Sequence, residues 1–293
     1  MTLFSVIIPT CHRNEALMRC LAGIAPAKQE GMALFHGNSA NPKRESFNAY
    51  EVIVTDDGSL STAERMLREG FPWAQWVSGP KRGPAANRNH GAEKAAGDWL
   101  VFVDDDCIPE PTLLAAYARA AAAGNSAVLE GMTLPEGNRG AADMECPINT
   151  FGGHLWACNF AIKRRLFIDL GGFDENFPAP AMEDTDMQTR LSKAGHKTVF
   201  VAEASVKHPW RQRKGLNFLR LQARSVVYYV DKHREYRRWV SLTSLVKRAV
   251  GAVLRDFPKN LVSYKGKGAL RTLTLDSCFV SFLIRYLTRR NLG

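Results

Sequence analysis

The amino-acid sequence predicts an α/β fold, in which a doubly wound sheet is followed by a basic, mostly helical C-terminal extension. In the first 110 residues, short apolar runs rich in β-branched residues alternate with helix-like segments, a pattern typical of a parallel sheet covered on both faces. From Gly215 onward the apolar residues recur at helical spacing. The length of 293 residues fits one core with an appendage, and we place the boundary between residues 1–210 and 211–293.

Three apolar runs are the predicted strands of the first region: Phe4–Ile8, Tyr50–Val54 and Trp99–Val103. Between the second and third of them, Ala85–Ala96 has the pattern of a helix, and Thr198–Ala202 is a later strand-like run. Each of the first three strands is followed by a polar segment, at residues 10–14, 56–59 and 104–106. Ligands of such sheets bind beyond the carboxyl ends of the strands, so we expect the functional site at this edge.

Two segments are predicted to be loops. Pro26–Asn48 is richer in Gly, Asn, Pro and Ser than a short connection requires, which indicates an insertion between the first helix and the second strand. Pro135–Pro147 is the second predicted loop. We assign no chemistry to either of them.

Composition excludes several classes of protein. Hydrophobic residues make up 45% of the chain and charged residues 23%, which rules out wholesale disorder, collagen and coiled coil. The longest stretch without Lys, Arg, Asp or Glu, Cys146–Ile162, is polar in part and shorter than the roughly 20 apolar residues of a membrane span. Because the N-terminal sequence does not resemble a signal peptide and the six cysteines form no CxxC pair, we expect a cytoplasmic protein without disulfides or a zinc site.

Charge is distributed unevenly along the chain. Residues 1–204 carry 19 Lys and Arg against 25 Asp and Glu, a net charge of −6, whereas residues 205–293 carry 20 against 4, a net charge of +16. A cationic tail indicates an anionic partner. Nucleic acid is the weakest candidate, because no nucleic-acid-binding motif is present and the acidic first region would repel a phosphate backbone.

The tail contains two apolar stripes at helical spacing. The second, Leu270–Leu287, is the more apolar one. Basic amphipathic helices of this kind suit the surface of an anionic bilayer, where each Lys or Arg adds about 1 kcal/mol. The alternative is that the helices pack on the first region of the chain or on a second subunit of a homodimer. The first stripe consists of Trp239, Leu242, Val246, Ala249 and Val253.

The three adjacent carboxylates of Asp104–Asp106 directly follow a buried-type strand. Such carboxylates repel one another unless a cation offsets the repulsion. Hard divalent cations such as Mg²⁺ and Mn²⁺ prefer oxygen ligands and commonly bridge a carboxylate to a diphosphate. The sequence therefore predicts a metal and diphosphate site, and a solvated acidic turn is the alternative.

Five segments in this order resemble family 2 glycosyltransferases of the GT-A fold, a doubly wound, Rossmann-like mixed sheet. They depart from the family pattern at Cys11-His12, where an aromatic residue and Asn are common. Over residues 3–210 the resemblance implies an inverting enzyme that uses a nucleotide sugar and Mn²⁺ or Mg²⁺, with donor binding at about residues 1–110 and acceptor binding at about 111–210. The segments are VIIPTCHRNE (Val6–Glu15), VIVTDDGS (Val52–Ser59), RGPAANRNHGAEKAAGDWLVFVDDDC (Arg82–Cys107), GGFDENF (Gly171–Phe177) and MEDTDMQTRL (Met182–Leu191).

The resemblance also implies roles for individual residues. Asp106 is the implied metal ligand, and His208 resembles an optional further ligand, although a lone histidine is often structural. Arg88 would contact the base or the diphosphate; its alternative is a surface arginine on a helix. The implied donor-binding residues around the nucleotide are Pro9, Thr10 and Arg13, with Glu15 nearby. Asp56 would lie against the base, and Asp104 would face the ribose with Asp105 beside it. Arg88 belongs to the same donor-binding set.

Glu183 and Asp184 open a predicted helix, Asp184–Gly195. Taken alone, the pair is better explained as a helix cap with a solvated Glu. Inverting transfer, however, needs a carboxylate that draws the proton from the acceptor hydroxyl. The resemblance implies that Asp184 is this base and that Glu183 contacts the acceptor or orients the base.

The function that these observations favour is transfer of a sugar to a glycan, with a lipid-linked glycan of lipopolysaccharide, capsule or exopolysaccharide as the expected acceptor. The enzyme would be peripheral on the inner face of the cell membrane. A sugar nucleotidyltransferase is the alternative enzyme, but it would need a glycine-rich phosphate loop after the first strand, and Pro9–Asn14 contains no glycine. A nucleic-acid-binding protein is the alternative from another class.

Overall fold

The structure, a computed structural model, describes residues 3–34, 49–60 and 62–290. Its strands, in chain order, are β1 (Leu3–Thr10), β2 (Ala33–Leu34), β3 (Ala49–Asp56), β4 (Gln75–Ser78), β5 (Trp99–Val103), β6 (Ile108–Pro109), β7 (Val128–Glu136), β8 (Met144–Glu145), β9 (Asn159–Lys163), β10 (Thr198–Pro209) and β11 (Arg211–Gln212). Its helices are α1 (Asn14–Ile24), α2 (Glu64–Gly70), α3 (Pro84–Lys94), α4 (Leu113–Ala122), α5 (Arg164–Asp169), α6 (Glu183–Lys193), α7 (Leu216–Lys232), α8 (Leu242–Gly251), α9 (Phe257–Ser263) and α10 (Ala269–Arg290).

The described chain divides into two compact units. The first comprises Met1–Glu136, Pro147–Glu175 and Glu183–Pro209, and the second comprises Gly137–Cys146, Asn176–Met182 and Trp210–Gly293. The first unit contains the main sheet and α1–α6. The second contains β8, β11 and the helices from α7 onward.

A mixed sheet forms the centre of the first unit, with the strand order β2-β3-β1-β5-β9-β7-β10-β6 and with β4 beside β3. The strands β3, β1 and β5 are parallel, whereas β9 runs antiparallel to both β5 and β7. Every residue of β3 is buried, as expected for a parallel strand covered on both faces. The predicted α/β class, with a helical C-terminal region, is confirmed.

Two apolar clusters cover the two faces of this sheet. One includes Leu17 and Leu21 of α1 with Tyr117 of α4, and the other includes Phe102 and Phe160, whose rings stack at 5.0 Å. Burial of side chains of this size contributes about 1.5–3 kcal/mol each. The clusters therefore fix the register of the central strands and the place where each one ends.

Element boundaries differ from the sequence prediction where local chemistry decides them. Helix α3 begins at Pro84, whose ring favours the first helical turn. Helix α6 ends at Lys193, and Gly195 with a φ of +81° turns the chain away from it. The predicted strand Thr198–Ala202 continues to Pro209 because β10 resumes pairing with β7 after an irregularity between Val201 and Ser205.

The two predicted loops contain short strands. Of the predicted insertion Pro26–Asn48, the part up to Leu34 is described and ends in β2, which pairs with β3; residues 35–48 lie outside the described residues. Within Pro135–Pro147, β8 pairs antiparallel with β11. Such pairing partners lie far away in the sequence, which is why the local pattern did not predict these strands.

In the second unit, α7 and α10 pack around a core that includes Tyr229, Leu245 and Leu283. The first predicted stripe is interrupted: a 3₁₀ turn precedes α8, and a π-helical turn separates α8 from α9. Pro258, which has no amide proton to donate, lies at the start of α9 and accounts for the widened turn before it. Among the helices of the described residues, none combines the length and the apolar character that a membrane crossing requires.

Candidate active site

The carboxyl ends of β1, β3 and β5 meet at one edge of the sheet, as the sequence predicts. Thr10 lies opposite Asp56 in the register of β1 and β3, and the Thr10 hydroxyl donates a hydrogen bond of 2.7 Å to Asp105, just beyond β5. Arg13 binds the same carboxylate at 2.5 Å and approaches Asp106 at 3.5 Å. Asp105 is fully buried, so its charge is offset by these contacts from the loop after β1.

Asp106 and His208 are brought together by a short antiparallel pairing. Strand β6 follows the three carboxylates and pairs with β10, where Lys207 lies opposite Ile108. As a result the Nε2 atom of His208 lies 3.6 Å from Oδ1 of Asp106. His208 is buried, and burial lowers the pKa of its imidazole. Its Nδ1 lies 2.8 Å from the carbonyl oxygen of Pro209, so a neutral ring donates there and presents the lone pair of Nε2 toward Asp106.

This pair fits a divalent cation. Ligand atoms of Asp106, Cys107 and His208 lie within 4.8 Å of one another. Burial raises the pKa of the Cys107 thiol well above its usual range, so the thiol stays protonated and is a poor ligand for a hard cation. A carboxylate oxygen and a neutral imidazole nitrogen are both accepted by Mn²⁺, and the carboxylate suits Mg²⁺ as well.

Arg88 of α3 lies between two carboxylates. It is 5% exposed, its Nη2 lies 2.6 Å from Asp104, and its Nη1 lies 3.6 Å from Glu183. Burial works against its charge, but Asp104 and Glu183 outweigh that effect and raise the pKa of Arg88. Its guanidinium also lies 5.7 Å from the ring centre of Phe173. Within the described residues, Nε and Nη1 of Arg88 have no hydrogen-bond partner, so donors remain available to a bound anion.

Glu183 and Asp184 occupy the first turn of α6 and differ in their surroundings. Glu183 is buried, and this burial together with the charge of Asp184 raises its pKa to about 7, against the opposing effect of Arg88. Asp184 is partly exposed, and its Oδ1 accepts a 2.7 Å hydrogen bond from the amide of Thr185. Desolvation raises the pKa of Asp184 too, which makes its carboxylate a stronger base than an exposed one.

The structure also locates the other residues predicted for the donor. The carboxylate of Asp56 is buried and accepts hydrogen bonds from the amides of Gly58 (2.8 Å) and Ala63 (2.6 Å) and from the indole of Trp76 (3.2 Å). These contacts hold the chain as it leaves β3, and contact of Asp56 with the base stays a prediction. Pro9 is buried in β1, and Glu15 is exposed in the first turn of α1.

Two asparagines on either side of Arg88 complete the site and were missed by the sequence analysis. Asn87 donates to the carbonyl oxygens of Thr55 (2.8 Å) and Thr10 (3.3 Å), and thereby ties β1 to β3. Asn89 donates to the carbonyl of Phe173 at 2.8 Å and accepts from its amide at 2.8 Å. The signal for both was the run of polar residues, Asn-Arg-Asn, inside a helix expected to pack against the sheet.

The turn before Phe173 needs glycine. Gly172 has a φ of +68°, and a Cβ atom there would lie 2.6 Å from the side-chain oxygen of Asn89. The turn thus brings Phe173 to α3 and holds its ring beside Arg88. This supports a structural role for the turn.

Comparison with known proteins identifies matches along most of the chain. Residues 5–141 match the family model described as glycosyl transferase family 2, and residues 155–263 match the model described as glycosyltransferase like family 2. An "uncharacterized glycosyltransferase" of Haemophilus influenzae is 28% identical over 114 residues, which cover 36% of this chain and 37% of the relative.

A Campylobacter jejuni protein named GalNAc(5)-diNAcBac-PP-undecaprenol beta-1,3-glucosyltransferase is 26% identical over 111 residues, which cover 36% of this chain and 30% of that protein. The chain thus spans about a third of the length of these relatives. A solved mannosyltransferase from Pyrobaculum calidifontis, in complex with GDP-Man and Mn²⁺, has a TM-score of 0.58 at 17% identity and covers 97% of this chain and 86% of its own. That likeness confirms the predicted GT-A fold.

Proposed function

The chain belongs to glycosyltransferase family 2, and we propose that it moves a sugar from a nucleotide-diphosphate donor to a hydroxyl group of a glycan, with inversion at the anomeric carbon. The observation that carries this proposal is the position of Arg88, 2.6 Å from Asp104 and 3.6 Å from Glu183, at the same edge as the pair Asp106 and His208. A leaving diphosphate needs positive charge and an attacking hydroxyl needs a base. This edge offers both.

The donor side of the reaction is assigned to the ends of the parallel strands. Arg88 is suited to the diphosphate because Asp104 holds its guanidinium in place. Its Nε and Nη1 atoms have no hydrogen-bond partner among the described residues, so both can donate to phosphate oxygens. Asp104 would accept hydrogen bonds from the ribose. The remaining proposed donor residues are Pro9, Thr10, Arg13, Glu15, Asp56 and Asp105.

Asp106 and His208 would hold the divalent cation, Mn²⁺ or Mg²⁺, which when bound neutralises charge that develops on the diphosphate. The support is the 3.6 Å approach of a carboxylate oxygen to an imidazole nitrogen whose lone pair faces it. The mannosyltransferase that shares the fold was solved with Mn²⁺. Arg13 approaches Asp106 at 3.5 Å and would adjust when a cation enters.

Asp184 is the proposed base. It takes the proton from the acceptor hydroxyl as the oxygen forms its bond to the anomeric carbon, while the bond from that carbon to the diphosphate oxygen breaks on the opposite face. The buried Glu183, held by Arg88, would orient Asp184 and the acceptor. Partial exposure of Asp184 and its raised pKa support this division of roles.

A lipid-linked acceptor and an anionic membrane surface complete the proposal. The residues after 204 carry a net charge of +16, from 20 Lys and Arg against 4 Asp and Glu. Between Leu242 and Ser263, Leu245 and Ala252 are buried, whereas Leu242 is 73% and Val262 82% exposed, so this helical segment has an apolar face outward as well as inward. Basic residues beside an outward apolar face suit an anionic bilayer. The name of the Campylobacter relative includes PP-undecaprenol.

Two experiments test these statements. Hydrolysis or transfer with a panel of nucleotide sugars, in Mn²⁺, Mg²⁺ or EDTA, should identify a donor that is consumed only with metal; no turnover of any nucleotide sugar would contradict the proposed function. Vesicle flotation should require anionic lipid and weaken with salt, because the Debye length is about 10 Å at 0.1 M.

Matched variants test the proposed membrane-binding surface of the helical segment. Leu242→Asp with Val262→Asp should reduce flotation, whereas Ile168→Asp, at an exposed position of α5 in the first unit, should not. Equal binding of all variants to neutral and anionic vesicles would contradict the membrane surface. A salt-resistant dimer that the first two substitutions dissociate would assign the same face to a second copy of the chain.

A further inference from the structure

A short segment of the first unit carries exposed rings. We call residues Asn149–Trp156, which precede β9, the aromatic loop. Phe151 is 93% exposed, and the ring of His154 stacks on that of Trp156 with centroids 5.4 Å apart and planes at 13°. Ile148, the residue before this segment, is also exposed. Single exposed apolar residues are ordinary, but several rings and an isoleucine within nine residues form an exposed apolar patch.

Hydrogen bonds to a buried carboxylate hold the aromatic loop in place. The carboxylate of Glu130, buried in β7, accepts hydrogen bonds from the amides of Gly153 (2.7 Å) and His154 (3.0 Å) and from the side chain of Asn149 (3.3 Å). Burying a carboxylate is costly unless such contacts satisfy it. The exposure of Phe151 is therefore a consequence of a defined loop conformation.

Glycine is required next to the exposed ring. Gly152 has a φ of +84°, and a Cβ atom there would lie 2.9 Å from both the Glu130 carboxylate and the Cβ of Phe200. The backbone thus lies close against the sheet at Gly152. Phe151, one residue earlier, extends into solvent from this fixed backbone position.

The aromatic loop contacts the helix that carries the proposed base. The side-chain amide of Gln188 donates a 3.0 Å hydrogen bond to the carbonyl of Gly153. Gln188 follows Asp184 by four residues in α6, so the two share a helix face and lie about 6 Å apart along the axis. The loop also leads into β9 at Asn159, which lies opposite Val103, the residue before Asp104. The rings therefore belong to the active-site edge, on the side of the base.

We propose that Phe151, together with the stacked pair His154 and Trp156, binds a sugar ring of the acceptor. One face of a pyranose ring consists largely of C–H groups, and these pack on the electron-rich face of an aromatic ring. The loop and Ile148 contain no Lys, Arg, Asp or Glu, which suits a neutral sugar and does not suit an anionic headgroup. This inference rests on the proposed function, because the side of Asp184 is the side from which the acceptor hydroxyl attacks.

Saturation-transfer NMR with methyl glycosides of glucose, mannose, galactose and their N-acetyl-amino forms tests the proposal on the full chain with Mg²⁺ and UDP or GDP. The wild type should saturate ring C–H protons of at least one glycoside. Phe151→Ala should reduce that signal about tenfold, and Phe151→Trp should restore it. The matched control is Ile168→Ala, at another exposed apolar position of the first unit, which should match the wild type. Because Phe151 is almost fully exposed, its removal should leave the urea midpoint unchanged.

Hydrolysis of the nucleotide sugar without any acceptor tests the proposed function separately from acceptor binding, because water then replaces the glycan. Hydrolysis by the wild type and by the Ile168→Ala control should be equal. The sugar-binding role of Phe151 is overturned if no methyl glycoside gives a signal with the wild type, or if Phe151→Ala retains the wild-type signal. Failure of the wild type to hydrolyse any nucleotide sugar would instead overturn the proposed function, whatever the glycosides show.

Discussion

Replacing Arg88 by methionine keeps an unbranched apolar stem and removes the guanidinium group with its charge. Arg88 lies 2.6 Å from Asp104 and 3.6 Å from Glu183, and all three side chains are largely buried. Breaking a buried ion pair by removing one partner costs about 3–5 kcal/mol, since the other charge stays in a poorly solvated place. We expect a loss of this size in the free energy of unfolding at pH 8, where both carboxylates are ionised.

The loss should depend on pH because Glu183 titrates within the usable range. Its pKa in the folded protein is about 7 against an ordinary value of 4.5, so the folded state holds the extra proton between these values. The unfavourable contribution of Glu183 to stability is therefore absent below about pH 4.5 and complete above about pH 7. At pH 5.5 Glu183 is mostly neutral and only the ion pair of Arg88 with Asp104 is lost, so we expect roughly half of the loss found at pH 8.

Urea denaturation of Arg88→Met and of the wild type at pH 5.5, 7 and 8 measures this difference. The matched control is Arg82→Met, because Arg82 is 65% exposed and pairs with Glu175 at 2.7 Å on the surface. A surface pair of this kind contributes about 0–1 kcal/mol at any of these pH values. A loss for Arg88→Met that equals the control, or that does not change with pH, would refute the view that Arg88 offsets two buried carboxylates.

Three further predictions concern single residues. Asp184→Asn should lower transfer by roughly 10²–10⁴-fold with an unchanged Kd for the nucleotide diphosphate, and turnover within a few-fold of the wild type would restrict Asp184 to a cap. Because desolvation raises the pKa of Asp184, wild-type transfer should rise with pH as this carboxylate loses its proton. Asp106→Ala should abolish the dependence of nucleotide-diphosphate binding on Mn²⁺ or Mg²⁺ in calorimetry, whereas Asp169→Ala should retain it; undiminished metal-supported binding in the first variant would remove Asp106 from the metal site. Glu130→Ala should lower the free energy of unfolding by about 2–4 kcal/mol, because the amides of Gly153 and His154 lose their buried acceptor, and a loss below about 0.5 kcal/mol would argue against that anchor.

The residues named for the donor illustrate the limits of motif reading. Asp56 and Asp105 are both conspicuous in the sequence, yet the structure uses the first to hold the turn after β3 and the second to bind Thr10 and Arg13. A carboxylate in a motif shows that charge is wanted at a strand end. Which of its oxygens faces a ligand depends on neighbours that the motif does not contain.

The sequence by itself determined the strands of the parallel half of the sheet and the edge at which the site lies. Phe4–Ile8, Tyr50–Val54 and Trp99–Val103 are buried on both faces, so their composition alone marks them as strands, and polar residues can follow only where each strand ends. The acidic run Asp104–Asp106 could be recognised for the same reason. Its position depends only on the residues that directly precede it in the chain.

Only the tertiary structure decided which side chains meet at that edge. Asp106 meets His208 because β6 pairs with β10, and Arg88 meets Glu183 because α3 and α6 contribute to the same apolar cluster. Each pair is about 100 residues apart in the chain. The raised pKa of Glu183 and the anchoring of the aromatic loop on Glu130 likewise arise from burial. Pairing and burial depend on the register and packing of distant segments, and a local pattern of residues carries no information about either.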